Sequence, residues 1–399
     1  MTTTRLRWVV KYTACGPSPT CEDRNVESSE EWGVLKTTAI QWTGWRENEH
    51  KTLPEDFWGA KNLEIRKSDV IVTKAGPRHR VGVSSYVNKT RQQLIVSGKM
   101  ILLRVDDSAI DPRYLNWYLS TPRPQGYLNS CKTGMAEAQM NFANEDLLGM
   151  ELQLPPIGEQ RRIADFLDAE TARIDVATST RRAQAAVLDE LELARIGEHL
   201  HANEKSGPVY AYFEVKLGKM LNAERASGGN QQPYLRNANV HWYEIDIEDM
   251  ATMTFEPEER LRYGVQTGDL LVCEGGAGVA EAAVWDGRTS TCFYQKSLHR
   301  VRARSYVPVE WLMYWLRYAK AIGTFDADGN IATIPHLTGE QLAEYRFPIP
   351  EDGHRRVAEL KSEIAAIRET QRKMAAADVL LVERRQALIT AAVTGGISV

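Results

Sequence analysis

Long apolar runs are missing from this 399-residue chain. None approaches the ~20 consecutive residues that cross a bilayer, and the mean hydropathy is -0.39, so a membrane-spanning protein is not expected. The N-terminal stretch holds Arg5, Arg7 and Lys11 around only Trp8-Val9-Val10, which lacks the apolar core of a secretory leader. The cytosol is the default compartment. Cysteine is scarce: Cys15, Cys21, Cys131, Cys273 and Cys292 form no CxxC pair and are odd in number, which speaks against a zinc site or a disulfide framework. Catalytic motifs are missing too. The sequence contains no GxxxxGKS/T, GxSxG, HExxH or GxGxxG, the patterns that cradle phosphates, present a nucleophilic serine, bind catalytic zinc or hold a dinucleotide. Gly275-Gly276-Ala277-Gly278 follows an apolar run but lacks the lysine and hydroxyl of a phosphate loop, so it reads as a tight turn. No catalytic residue and no bound cofactor is expected in this chain.

What is present is a repeat. Ser68-Asp69-Val70-Ile71-Val72 is answered by Gly268-Asp269-Leu270-Leu271-Val272, in each case a turn feeding a buried strand. Pro112-Arg113-Tyr114-Leu115-Asn116-Trp117-Tyr118-Leu119 is echoed from Pro308 to Leu316, a proline at a helix start followed by aromatics at helical spacing. Leu154-Pro155-Pro156 leading to Arg161-Arg162-Ile163-Ala164 matches Pro348-Ile349-Pro350 leading to Arg355-Arg356-Val357-Ala358. Three matches in one order divide the chain into globular regions 1–153 and 205–347, each followed by a long helix, 154–204 and 348–399.

In the second long segment Leu360, Ile367, Met374, Leu381 and Leu388 recur every seven residues, with Val357, Ile364 and Gln371 in companion positions. That spacing is a coiled-coil seam. The first segment carries a weaker stripe of Ile163, Phe166, Leu167, Ile174, Leu188 and Leu191, interrupted by Glu170, Arg181 and Gln184. Neither helix can bury its stripe alone. A repeated chain supplies its own partner, so an intramolecular antiparallel pair is expected; a homodimeric coiled coil is the alternative. The fold class is α+β: two globular α/β domains in tandem, separated by two long antiparallel helices.

Residues 60–104 hold ten cations against only Glu64 and Asp69, a local balance that suits nucleic acid although the whole chain carries -4. Within it Lys74, Arg78, His79 and Arg80 fall on a Gly/Pro turn after a strand, with Lys89 and Arg91 beyond. Guanidinium forks there suit phosphates or guanine edges; a solvated basic loop is the bland alternative. Region 206–345 is acidic overall, thirteen cations against eighteen carboxylates, yet Arg288, Lys296, Arg300, Arg302 and Arg304 form a run without a carboxylate after Asp286. The stretch containing Asn230, Gln231, Tyr234, Arg236, Asn237 and Asn239 is dense in amides that pair with adenine beside an arginine that suits guanine. Amide-rich loops are also ordinary turn chemistry.

With those residues in view the chain resembles the specificity subunits of type I restriction-modification systems. The most specific match is Leu154 to Leu167, whose Pro-Pro, Glu-Gln and Ile-Ala pairs follow the family pattern; Gly268-Asp269-Leu270-Leu271, Pro233-Tyr234-Leu235-Arg236 and the ending Ala387 to Gly395 agree as well. The second copy departs, with His354 for the glutamine and Ile349-Pro350 for the proline pair, and the first domain has Ser68 in place of the glycine. Resemblance implies a DNA-recognition subunit whose two domains each read one half of a split sequence, held apart by ~60 Å of helix. It further implies double-stranded DNA, two methyltransferase subunits and restriction (translocase-nuclease) subunits as partners, with S-adenosylmethionine, ATP and Mg belonging to those partners. Helix faces around Glu159, Arg161, Arg162, Arg355, Arg356, Arg384 and Arg385 are candidate docking surfaces. A coiled-coil protein scaffold without sequence-specific DNA binding is the other reading.

Overall fold

A computed structural model of the chain describes residues 2–134, 136–202, 205–222, 226–276, 278–289, 291–325 and 336–399. It divides into two compact units, Met1–Arg181 with Ala376–Val399, and Arg182–Ala375. Each therefore contains one globular region, the start of the helix that follows it and the end of the helix that precedes it in the repeat. Among the described residues no helix is long and apolar enough to cross a membrane.

Each unit is built around a four-stranded antiparallel sheet. In the first, strands run in the order Val10–Ala14, Met100–Val105, Val70–Thr73, Ser84–Tyr86. In the second the order is Phe213–Leu217, Leu298–Ala303, Leu270–Cys273, Ala282–Val284. The uninterrupted apolar runs at the centre have a physical reason: they are covered on both faces. Val70 and Val72 point into a core shared with the helix Pro112–Leu119, whereas Ile71 points into a second core against a small sheet. Leu270 and Val272 against Leu271 and Cys273 repeat the alternation. The small sheets correspond, Leu94–Ile95, Gly33–Leu35, His50–Thr52 and Phe293–Tyr294, Gln231–Leu235, Ala251–Thr254, each with one parallel and one antiparallel pairing. A hairpin, Ile40–Gln41 with Gly44–Trp45 or Val240–His241 with Glu244–Ile245, completes each.

The turn before the central strand is built alike in both units. Asp69 and Asp269 are buried; each accepts a backbone N–H three residues upstream at 2.7 Å and pairs with an arginine of the neighbouring strand, Arg104 at 2.9 Å and Arg302 at 2.6 Å. Burial pushes the Asp69 carboxyl above its usual range although Arg104 opposes the shift. Ser68 and Gly268 both adopt left-handed backbone, φ 73° and 90°, which explains the glycine and makes the serine the strained member.

The long helices are Ile157–His201 and Gly353–Thr394. Inside the first unit Ile163, Leu167 and Ile174 are buried, the first two in one core with Ile389 and Val393 and half-buried Leu388. Asp175 faces Arg385 at 3.8 Å and Arg181 faces Asp378 at 3.5 Å, so the two segments run antiparallel. Inside the second unit Val357, Leu360, Ile364 and Ile367 pack with Ile196, Leu200 and half-buried Leu188, and Gln371 donates to Asp189 at 2.8 Å. Met374 and Leu381 are half-buried. Leu191 leaves the seam: it is 39% exposed, and the neighbouring Glu192 is buried instead, because Tyr243 and Arg317 both donate to its carboxylate at 2.9 Å.

Candidate nucleic-acid interface

In the first unit the chain leaves strand Val70–Thr73 into the basic turn. Arg78 and His79 are exposed there, and the Arg78 guanidinium lies 2.9 Å from Glu137. They open onto a cleft of about 460 Å3 that Trp42, Gln125, Asn129 and Lys132 also line. Lys132 donates to the Arg78 carbonyl at 3.1 Å and to Asn129 at 2.6 Å; burial, then the Arg78 charge, lowers its pKa. Gln125, Asn129 and Lys132 are absent from the sequence reading because they come from the helix Pro122–Cys131 and the residue after it, about fifty positions downstream, and no local pattern joins them to the turn. Lys89 is exposed beside a second cleft with Arg46, Asn48 and Asn88.

Other cations of the block face inward. Arg80 donates to the carbonyls of Thr37 and Ile40, and so braces the turn before the hairpin rather than offering its guanidinium outward. Arg91 donates to the Ser28 and Glu31 carbonyls, both at 3.2 Å, and half-buried Lys74 donates to Asn144 at 3.3 Å. The three are corrected from base or phosphate contacts to supports of the surface.

The second unit consumes more of its candidates. Arg300 is 2% exposed, and its guanidinium donates to the Arg262 and Gly264 carbonyls at 3.1 and 2.8 Å. It occupies a central strand covered on both faces, so it is corrected from a DNA contact to a buried clamp. Asn239 is also 2% exposed: its Nδ2 donates to the Asp246 and Asp249 carbonyls, and its Oδ1 accepts from the Arg236 N–H. Tyr234, 4% exposed, lies in an aromatic core with Phe255 and Phe293. Both leave the candidate set. Asn237 donates to the Gly275 carbonyl at 2.7 Å and Gln231 to the Gly228 carbonyl at 2.8 Å, which makes them loop braces. Asn230, Arg236, Arg288 and Lys296 remain within reach of a ligand, Arg236 held by Asp249 and Arg288 by Asp286, each at 2.8 Å.

The helix starts are joined to their domains differently. Gln160, 1% exposed, accepts the Asp111 N–H at 3.0 Å and donates to the Pro155 carbonyl at 2.9 Å. Asp111 in turn caps the helix Pro112–Leu119. His354, at the equivalent position, is exposed. Arg385 is corrected from a docking face as well: burial lowers its pKa, and it lies over the Trp117 ring at 5.7 Å.

Residues 39–185, which carry the basic turn, its cleft and the Gln160 junction, match the family described as type I restriction modification DNA specificity domain. The specificity subunit of the type I restriction enzyme EcoEI from Escherichia coli is 36% identical over 190 residues, 48% of this chain and 32% of that relative. Over this segment the chain is similar to the type I specificity subunits. The match thus spans about a third of the curated relative's length. Among solved structures, a chain of a type I R-M system, from work on its complex assembly and conformational transition, superposes with a TM-score of 0.73 at 17% identity, covering 98% of this chain and 97% of that one. The HsdS subunit from Thermoanaerobacter tengcongensis gives 0.52 at 18% identity, covering 99% and 97%. At such identities the likeness is one of fold.

Proposed function

We propose that the chain is the non-catalytic DNA-recognition subunit of a type I restriction-modification complex, reading a bipartite target with one globular domain per half-site. One observation carries the reading: the segment that matches a DNA specificity domain is also the segment whose basic turn exposes Arg78 and His79 over a cleft edged with amides. Arginine forks and amides are the groups that read base edges, and exposed lysines such as Lys89 suit phosphates. A protein-only scaffold gives this surface no role. In this reading two methyltransferase subunits using S-adenosylmethionine, and restriction subunits using ATP and Mg, supply the chemistry in the cytoplasm.

The test is co-expression with the methyltransferase subunit of the same system, followed by long-read mapping of methylated adenines. A single split motif with a fixed gap, lost when this chain is omitted, is expected. Methylation that does not depend on the chain, or an isolated chain whose DNA affinity is indifferent to salt, overturns the proposal.

A further inference from the structure

We propose that the first unit contains a binding site for a purine-type nucleobase or nucleoside, in the cavity between its Trp42–Trp45 hairpin and its two helix segments. The cavity measures about 250 Å3, and Trp42, Trp45, Tyr86 and Trp117 give it four aromatic rings. Aromatic walls hold planar heterocycles by stacking, as they hold bases in nucleic-acid sites.

Two buried donors on the lining have no acceptor among the described residues, the Trp45 indole N–H and the Arg385 Nε–H. A buried donor without a partner is costly; the Arg385 Nη2 already donates to the Trp42 carbonyl at 3.4 Å, and a ligand with acceptor atoms offsets the remaining cost once either side chain turns its donor toward the cavity. Acceptors are present too. Asp175, which lies 3.8 Å from the Arg385 Nε, supplies carboxylate oxygens, and Asn116, whose Oδ1 accepts from Ser84 at 2.8 Å, brings an amide group to the lining. Donors and acceptors around a flat slot match the mixed edge of a purine; a phenol ring offers a single oxygen.

The second unit shows the same place filled. Its hairpin Val240–His241 with Glu244–Ile245 has the pairing of Ile40–Gln41 with Gly44–Trp45. Tyr243 from that hairpin packs on Tyr314, centroids 5.8 Å apart, beneath the Arg368 guanidinium, and donates to Glu192 at 2.9 Å. Ile196 and Leu200 correspond to Ile389 and Val393 at an offset of 193, so Glu192 corresponds to Arg385. One unit closes its junction with its own tyrosine and a carboxylate acceptor; the other has Thr43 in the hairpin, an arginine donor and an open cavity. A planar group that accepts hydrogen bonds is what the first junction lacks.

The test is isothermal titration calorimetry of the full chain, without DNA, against adenosine, guanosine, cytidine and N-acetyltyrosinamide. Saturable binding of a purine nucleoside is expected, weakened at least tenfold by Ala172→Phe, which fills the cavity from an exposed helix position, and by Arg385→Met, which removes the donor. Circular-dichroism melts establish that each variant folds; should Arg385→Met not fold, Ala172→Phe decides. No purine binding up to millimolar concentration, binding indifferent to Ala172→Phe, or tighter binding of the tyrosine amide overturns the proposal, the last result assigning the cavity to a partner's aromatic side chain. DNA affinity measured on the same samples keeps this outcome apart from the recognition role, which stands or falls separately.

Discussion

The two units share a frame but fill one interior position of it differently. Strand Met100–Val105 and strand Leu298–Ala303 hold the same place, with Leu102 opposite Ile71 in one and Arg300 opposite Leu271 in the other. The first unit fills that interior position with leucine and leaves Arg78 and Lys89 at the surface; the second folds its arginine inward to satisfy two carbonyls. A basic run therefore does not report a basic surface. The sheet decides, since a side chain on a strand covered on both faces must find partners inside or not form.

The sharpest way to break the comparison is to give the second unit the first unit's residue. Arg300→Ala removes the clamp and leaves the Arg262 and Gly264 carbonyls and the partly buried Glu214 without it; a loss of about 3 kcal/mol or more is expected. Arg300→Leu refills the volume and loses less. Urea denaturation of both variants checks the order, and equal losses would show that the carbonyls, rather than packing, dominate.

The junctions offer the next largest contrast. Gln160→Ala leaves the buried Asp111 N–H and Pro155 carbonyl unpartnered, which costs about 2 kcal/mol. His354→Ala, at an exposed position, stays within about 0.5 kcal/mol. Similar effects at both sites would mean that the departure of the second copy from the Glu-Gln pattern is compensated by contacts of His354 itself.

Within the basic turn, Arg78 and Arg80 offer the next contrast. Arg78→Ala is expected to weaken DNA binding by about 1–3 kcal/mol and relax one half-site if the contact is to a base. Arg80→Ala is expected to lower thermal stability while the salt slope of binding stays the same, since its guanidinium is spent on Thr37 and Ile40. Binding titrations at several salt concentrations, beside melts, distinguish the two; an Arg80 variant with normal stability and a shallower slope would return that residue to the interface.

The contrast extends to pH. His299 is buried on the central strand of the second unit, where its Nε2 meets the Leu337 carbonyl at 2.7 Å, and burial holds its pKa below the usual 6.5. The unfolded chain then takes up a proton that the folded chain refuses, so stability is retained above pH 6.5 and lost as pH falls, by up to about 1.4 kcal/mol per unit. The first unit has Ile101, which does not titrate, at the equivalent strand position. As pH is lowered from about 7.5 to about 5.5, the melting temperature should fall less steeply for His299→Gln than for the natural chain.

Much of this frame is legible in the sequence, for physical reasons that also mark where legibility ends. Val70 to Val72 and Leu270 to Val272 read as buried strands because sheets covered on both faces demand unbroken apolar runs, and the seven-residue spacing from Leu360 to Leu388 reads as a helix seam because that period keeps one face inward. Leu191 deceives because hydropathy alone favours it over Glu192, whereas partners from distant segments, Tyr243 and Arg317, make the carboxylate the buried member. Arg300, Asn239 and Tyr234 deceive for the same reason. Asn129 and Lys132 escape notice because they meet Arg78 only through the fold.

The smallest effect tests the turn where the two copies differ by one residue. Ser68 and Gly268 stand at the same bend, each donating its N–H to a carbonyl across the sheet edge, Val87 at 2.8 Å and Trp285 at 2.9 Å. Their φ values of 73° and 90° lie where a Cβ costs about 1–2 kcal/mol. Part of that strain is offset, because serine restricts the unfolded chain more than glycine does. Ser68→Gly should therefore stabilise the first unit by about 0.5 kcal/mol, and Gly268→Ser should destabilise the second by about 1 kcal/mol. Thermal melts of the two single variants check the signs. If Ser68→Gly destabilises, the serine hydroxyl contributes something the glycine of the second copy forgoes, and the two turns are alike in backbone only.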